Sequence, residues 1–442
     1  MKRFLILVST LAAVVLAGIS AGQAANPIIP NRGVTDPHIH IFNGRAYLFA
    51  SHDRSAASKK FVMDDWWCWS SDDLVNWKLE SVLKPEQTYI GKPYSECFAT
   101  DAAYRRGKYY WYFSEHNLQI GVVVGDSPAG PWTDPLKHSL LPLSLTPTHQ
   151  YDPTVFRDDD GQFYLVFGLR NYQIARLNQD MISLAEKPRE LVRLKADGTP
   201  ILADDKNFLH KYRDNYYLSW GCSYAMSTNL YGPYQFKRTL FRVENFALGC
   251  EKPTWPSGVQ QGRHGSFFEW HHQWYFACCD MSRTGSRFFR DAIISYVHYR
   301  ANGEIADIKV DGIGVGEYDV NRGRIEAENY FAASSGTEQR EQSDGGFVVG
   351  SIADGDYLAY PNIHGLAGKT KIQFNVVGNQ GCTIEIHDCS PAGKLLQTCA
   401  LPDKGATACK FDLSPLPDTA SLCFVFRGKA SDLVQFDSFL IQ

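Results

Sequence analysis

The sequence predicts an all-β protein whose residues 26–315 form a five-bladed β-propeller. Three observations lead there. A tyrosine-centred strand recurs as "GRAYLFAS" (Tyr47), "GKYYWYFS" (Tyr110), "GQFYLVFG" (Tyr164), "DNYYLSWG" (Tyr217) and "HQWYFACC" (Tyr275), at spacings of 63, 54, 53 and 58 residues. Each copy follows a turn signal ("FNGR", "RRGK", "DDDGQ", "YRDN", "EWHHQ"), as the second strand of a hairpin does. Nine to twelve residues before each tyrosine a polar residue opens a strand: Asp36, Asp101, Asp152, Asp205 and His264. No useful helical period lies between the units, and a sandwich would space its strands more tightly and less evenly. Repeats of this length pack radially, with each first strand lining a central channel.

The N-terminus reads as a separate element. Lys2 and Arg3 precede an apolar run from Phe4 to Ile19, and small residues end at Ala24. That pattern predicts a cleaved secretory signal over residues 1–24 and a mature chain that is secreted or periplasmic, with no membrane span after cleavage. A net charge of −4 offers no electrostatic case for nucleic acid. Eleven cysteines are scattered rather than set in CxxC pairs, which argues against zinc. Export permits disulfides, and Cys382, Cys389, Cys399, Cys409 and Cys423 crowd one region without revealing any pairing. Aromatic residues make up 13% of the chain, a composition that fits core filling and also fits proteins that stack sugars on their rings.

If five first strands line one channel, four aspartates and a histidine meet at a single pocket. Converging carboxylates repel one another, so their retention marks a functional site.

The stretches "TDPHIHIFNGRAYLFAS", "SSDDLVNW", "YDPTVFRDDDGQFYLVFG", "LHKYRDNYYLSWGCSYAMSTNLYGPY" and "RHGSFFEWHHQWYFACCD" together resemble glycoside hydrolase family 43. The resemblance spans about residues 31–300. It implies a propeller that hydrolyses arabinofuranosides, xylosides or galactosides with inversion. By motif, Asp36 in "TDPH" takes the general-base position, and Asp152 in "YDPT" that of the aspartate tuning the acid's pKa. Inversion needs a base and an acid roughly 6.5–9.5 Å apart on opposite faces of the sugar. An ionised third carboxylate keeps the acid protonated. The acid is where the sequence departs from the family. The usual Glu-Gly-Pro stands six residues before the hairpin lysine, and counting back from Lys211 gives Asp205, with about 1.3–1.5 Å less reach. Asp204 and Glu251 are weaker candidates. Asp101, Phe98 (where a stacking Trp is usual), Trp67 of "DWWCWSS" and His264 complete the expected sugar-binding set. The "DWWCWSS" stretch resembles a subgroup with arabinofuranosidase members.

Residues 322–442 resemble carbohydrate-binding module family 6, through "IEAENY", "SDGGFVVGSIADGDYLAYPNI" and "VQFDSFLIQ". The resemblance implies a jelly-roll β-sandwich in which Glu326, Glu328 and Asp437 hold a structural Ca²⁺. The stacking residues of that family's cleft are missing: Ser351 replaces a tyrosine, and "DKGATACKF" lacks the partner tryptophan. The expected activity is removal of arabinofuranosyl side chains from plant polysaccharide, with no catalytic cofactor. The alternatives are a β-xylosidase, an exo-galactosidase, or a non-catalytic sugar-binding propeller with a degenerate acid. The expected partners are arabinose-, xylose- or galactose-containing saccharides.

Overall fold

The structure, a computed structural model, describes residues 26–203, 206–241, 264–281, 284–402 and 407–442. The signal segment, Asp204, Asp205 and Glu251 lie outside the described residues.

Five sheets, antiparallel except where Arg193–Leu194 pairs in parallel with Tyr234–Thr239 in the fourth, follow one another along the chain. Their innermost strands are Val34–Phe42, Cys97–Arg105, Thr154–Arg157, Asn207–Tyr212 and Gly265–Trp270. Each hairpins into the strand carrying the repeated tyrosine. The hairpin "FRDDDGQFYLVFG" shows why. Arg157 pairs with Phe163, Asp158 N donates to Gln162 O at 3.0 Å, and Gly161 takes the left-handed turn position at φ +78°. Every inner strand touches the next, and the last touches the first, so the five sheets close a ring. The segment after residue 25 fastens that ring. Asn26 Nδ2 donates to Ile294 O (2.8 Å), Ile294 N donates to Asn26 Oδ1 (2.9 Å), and Ile28 N donates to Ala292 O (2.9 Å). Among the described residues the fifth blade has three strands of its own, and this edge adds to it.

The hydrophobic core is divided among the blade interfaces. One apolar cluster fills each of the five: Phe49 with Trp111, Tyr112 with Leu165, Val166 with Leu218, Tyr217 with Phe276, and Leu48 with Tyr275. Strand alternation produces this division. In the third blade Phe163 and Leu165 face the second blade, while Tyr164 and Val166 face the fourth. Both faces of each sheet are buried, so these strands read as nearly continuous apolar runs. The repeated tyrosines Tyr47, Tyr110, Tyr164, Tyr217 and Tyr275 each pack toward the following blade.

From Tyr318 onward the chain forms two facing six-stranded sheets around one core that includes Tyr360, Phe374, Phe424 and Phe439. Among the described residues there is no α-helix, and no helix long and apolar enough to cross a membrane. The cysteines differ from the disulfide possibility raised by export. Cys68, Cys97, Cys382, Cys389, Cys399, Cys409 and Cys423 are free thiols, and of the ten described cysteines all but Cys389 are buried. Cys382, Cys399 and Cys409 crowd together because they fill the sandwich core as small apolar side chains.

Gly265 opens the fifth inner strand where its partner strand runs very close. A Cβ at this position would stand 1.9 Å from the backbone oxygen of Ala277. Gly265→Ala is expected to cost about 1–3 kcal/mol, whereas Gly378→Ala, which meets nothing within 4 Å, leaves stability unchanged. Thermal unfolding of the two variants beside the parent checks this, and equal melting temperatures would contradict the close packing.

Candidate active site

A cavity of about 160 Å³ opens at the end of the ring where the inner strands begin, with Asp36, Asp152, His264, Phe98, Lys206 and Arg290 in its wall. Asp36 and Asp152 both precede a proline, and both have left-handed backbones, at φ +50° and +53°. That conformation is costly for a non-glycine residue and persists only where its surroundings impose it. Here the preceding blade imposes it. Asp36 N donates to Cys279 Sγ of the fifth blade at 3.3 Å, and Asp152 N donates to Ser114 Oγ of the second at 2.9 Å.

The Asp36 carboxylate is nearly enclosed, with 5% of its surface exposed. Burial alone would raise its pKa. The Arg290 guanidinium, His264, and hydrogen bonds from Ser51 and Cys279 outweigh burial and lower the pKa to about 2. Arg290 Nη1 reaches Asp36 Oδ1 at 2.9 Å, and Ser51 Oγ donates to Oδ2 at 2.8 Å. The same guanidinium holds Asp53 bidentately, through Nε (2.9 Å) and Nη2 (3.1 Å). Phe61 lies under it, 4.9 Å from its ring centre. Asp36 is therefore an ionised carboxylate fixed on both oxygens.

Asp152 joins the third blade to the fourth. Its Oδ2 accepts Lys206 N at 2.9 Å, and its backbone oxygen accepts Asn207 Nδ2 at 2.8 Å. The chain thus enters the fourth blade beside Asp152, immediately after the position of Asp205. Phe98 and His264 line the cavity as the sequence predicts.

Two expected sugar contacts are corrected. Asp101 is fully buried beneath the cavity. The second inner strand begins at Cys97, so its rim position falls to Phe98 and Ala99, and Asp101 drops one layer into the channel. There its Oδ1 meets His40 Nε2 at 2.5 Å and His38 Nδ1 at 3.1 Å. Trp67 sits on the third strand of the first blade, away from the axis, with its ring stacked on His52 at 3.7 Å. Arg290, Asp53, Ser51, Cys279 and Lys206 were not singled out from sequence. Asp36 and Arg290 meet across 254 residues, and no local pattern marks such a pairing.

Comparison with known proteins identifies both parts of the chain. The sequence profile of glycosyl hydrolases family 43 matches residues 24–305, and that of carbohydrate binding module (family 6) matches residues 326–442. An arabinoxylan arabinofuranohydrolase of Paenibacillus polymyxa is 26% identical, over 94% of this chain and 74% of its own length. A xylosidase/arabinosidase of Bacteroides ovatus is 28% identical, over 64% of this chain and 97% of its own. A solved family 43 arabinoxylan arabinofuranohydrolase of Bacillus subtilis matches both domains in fold, at TM-score 0.55 and 23% identity, over 95% of this chain and 97% of that one.

The Asp36 environment predicts a pH effect on stability. Its folded pKa lies below the ordinary 3.8, so the stability it contributes is present above that value and is lost as pH falls toward 2. Between pH 6 and pH 3 the parent should lose about 1 kcal/mol more than Asp36→Asn. Denaturant titrations at the two pH values measure the difference, and parallel losses would contradict an ionised Asp36.

Proposed function

The chain belongs to glycosyl hydrolases family 43 and carries a family 6 carbohydrate-binding module, and from that premise we propose that it removes α-L-arabinofuranosyl side chains from arabinoxylan-type polysaccharide. One observation carries the reading. Asp36, ionised and held on both oxygens, shares a small cavity with Asp152, and both are set by the same backbone device. Water attacks the anomeric carbon as the glycosidic C–O bond breaks. Asp36 takes one water proton, and the acid gives its proton to the departing oxygen, with inversion. Asp205 is our acid and Asp152 the residue that keeps it protonated. Support comes from Lys206, which directly follows Asp205, lines the cavity and is bonded to Asp152. Phe98 and His264 form the sugar-facing wall.

The substrate choice rests on the arabinofuranohydrolase and xylosidase/arabinosidase relatives, and the latter make β-xylosidase the second reading. The proposed setting is outside the cytoplasm, after cleavage at residue 24. Asp36→Asn should lower kcat on 4-nitrophenyl α-L-arabinofuranoside by about 10²–10⁴-fold. Proton NMR of the parent's first product should show β-arabinofuranose. Preference for the β-D-xyloside would move the assignment to the second reading, and activity untouched by Asp36→Asn would sink both.

The module is proposed to act as a structural companion with a bound Ca²⁺. Where the family's cleft presents a stacking ring, Ser351 is locked in a polar net. Arg340 donates to Ser351 Oγ (2.6 Å) and to Asp432 (2.7 Å), and Ser351 Oγ donates to Glu338 (3.1 Å). At the other site Glu328 Oε2 is buried with no hydrogen-bond partner. Burial, then the charges of Glu326 and Asp437, raise the Glu328 pKa to about 8. The three carboxylates do not converge to ligand distance here, and a hard cation that drew them together would relieve both conditions. Calcium at 100 times its Kd should add about 2.7 kcal/mol of stability. Melting curves with calcium and with chelator should therefore differ in the parent and coincide in Glu328→Gln. Coincident curves in the parent would remove the metal.

A further inference from the structure

His264 has two ring nitrogens with different neighbours. Nε2 lies 3.3 Å from His38 Nε2. Nδ1 is 3.6 Å from Asp36 Oδ1, beyond hydrogen-bond range, and the residue lines the cavity. Burial keeps the ring neutral by lowering its pKa to about 3. A neutral imidazole has one N–H and one lone pair, so its tautomer decides what it offers beside Asp36.

That tautomer is set from below. Burial would raise the Asp101 pKa, but His40 and His38 hold it well below the usual carboxylate range, so Asp101 is ionised and only accepts. It takes His40 Nε2 at 2.5 Å, Ala102 N at 2.8 Å and Val155 N at 2.6 Å. Its charge is met first by His40, the closer histidine, whose side chain reaches solvent. His38 Nδ1 faces the same oxygen at 3.1 Å, off the ideal line of a hydrogen bond. An N–H dipole beside that anion is favoured over a lone pair even off the line, and Asp101 at 3.1 Å from His38 outweighs Asp36 at 3.6 Å from His264, so His38 Nδ1 carries the hydrogen. His38 Nε2 must then accept, and His264 Nε2 must donate to it. The lone pair of His264 is left on Nδ1, beside Asp36.

We propose that Asp101 and His38 fix His264 as its Nε2–H tautomer, so that His264 Nδ1 and Asp36 hold the attacking water by its two hydrogens. This rests on Asp36 being the base. Gripped that way, the water turns an oxygen lone pair toward the anomeric carbon. During attack the hydrogen on the Asp36 side passes to the carboxylate. The other stays on the new anomeric hydroxyl and still donates to His264. His264 touches the reacting water, whereas His38 and Asp101 are positioning residues.

Long-range ¹H–¹⁵N spectra of histidine-labelled protein report each tautomer directly, with His38 and His264 variants for assignment. The expected result is His38 protonated on Nδ1 and His264 on Nε2. In Asp101→Asn the new amide can donate to His38 Nδ1, which reverses both rings. The kcat should then fall about 10²-fold, as for a reacting water displaced by an ångström, with KM within about twofold. His40→Gln, which keeps a donor to Asp101, should preserve both tautomers and kcat. An Nδ1–H signal from His264 in the parent overturns the proposal, as does Asp101→Asn with reversed tautomers and an unchanged kcat. The parent spectra decide the matter even if Asp101→Asn does not fold. A parent inactive on every glycoside defeats the hydrolase reading instead, and the spectra still judge the tautomer.

Discussion

An ionised carboxylate must survive inside a ring of apolar blades, and much of the site follows from that one requirement. A buried charge is tolerated only when it is paired and hydrogen-bonded. Asp36 obtains both from elsewhere in the chain: a guanidinium from the fifth blade and a hydroxyl from its own second strand. Arg290 is itself buried and cannot be left to one partner's thermal motion. Asp53 grips it with two hydrogen bonds, and the backbone N–H of Arg290 adds a third contact to Asp53 at 2.9 Å. The result is a rigid Asp53–Arg290–Asp36 row, in which the middle cation belongs to two anions and the Asp36 carboxylate is pinned without losing its charge.

The repeat supplies the means of holding the aspartates. In three copies the residue four places after the tyrosine stays on the same strand and so on the same face as the ring, near the cavity end: Ser51, Ser114 and Cys279, whereas Gly168 and Gly221 follow the ends of theirs. Ser114 and Cys279 are the two whose side chains take the backbone N–H of Asp152 and Asp36. A tyrosine that sets blade packing and a small polar residue that sets an aspartate's backbone are thus one motif, read at two depths. The catalytic-end geometry is a by-product of how blades stack.

This also explains what the sequence made legible. Five hairpins could be recognised because turn residues and period-two apolar runs are local signals, and Asp36 and Asp152 stood out because both carry the same Asp-Pro mark. Asp101 shared the spacing but not the phase. An inner strand that starts at Cys97 carries it one layer below the rim, a difference invisible in a count to the next tyrosine. Trp67 was misread because a strand's alternation says which face a ring takes but not how far that strand stands from the axis. Arg290 and Asp53 gave no signal at all. Their pairing spans 237 residues and exists only once the fifth blade closes on the first.

That closure is where the second domain enters the chemistry. His264, Cys279 and Arg290 all come from the fifth blade, which has three strands of its own among the described residues. Its outer edge is held by Asn26, and its hairpin end is held by the sandwich. Tyr330 OH donates to His272 O at 2.7 Å, Gln273 Nε2 donates to Glu328 O at 2.6 Å, and the hydroxyls of Tyr296 and Tyr318 meet at 2.9 Å. A blade free to shift by an ångström would carry the guanidinium and the imidazole away from Asp36 together, because both ride on it. Glu328, whose carboxylate is buried beside the module's core, contributes its backbone oxygen to this contact. Whatever steadies Glu328 therefore also steadies the blade. The sandwich thus holds the arc of the ring that carries the partners of Asp36.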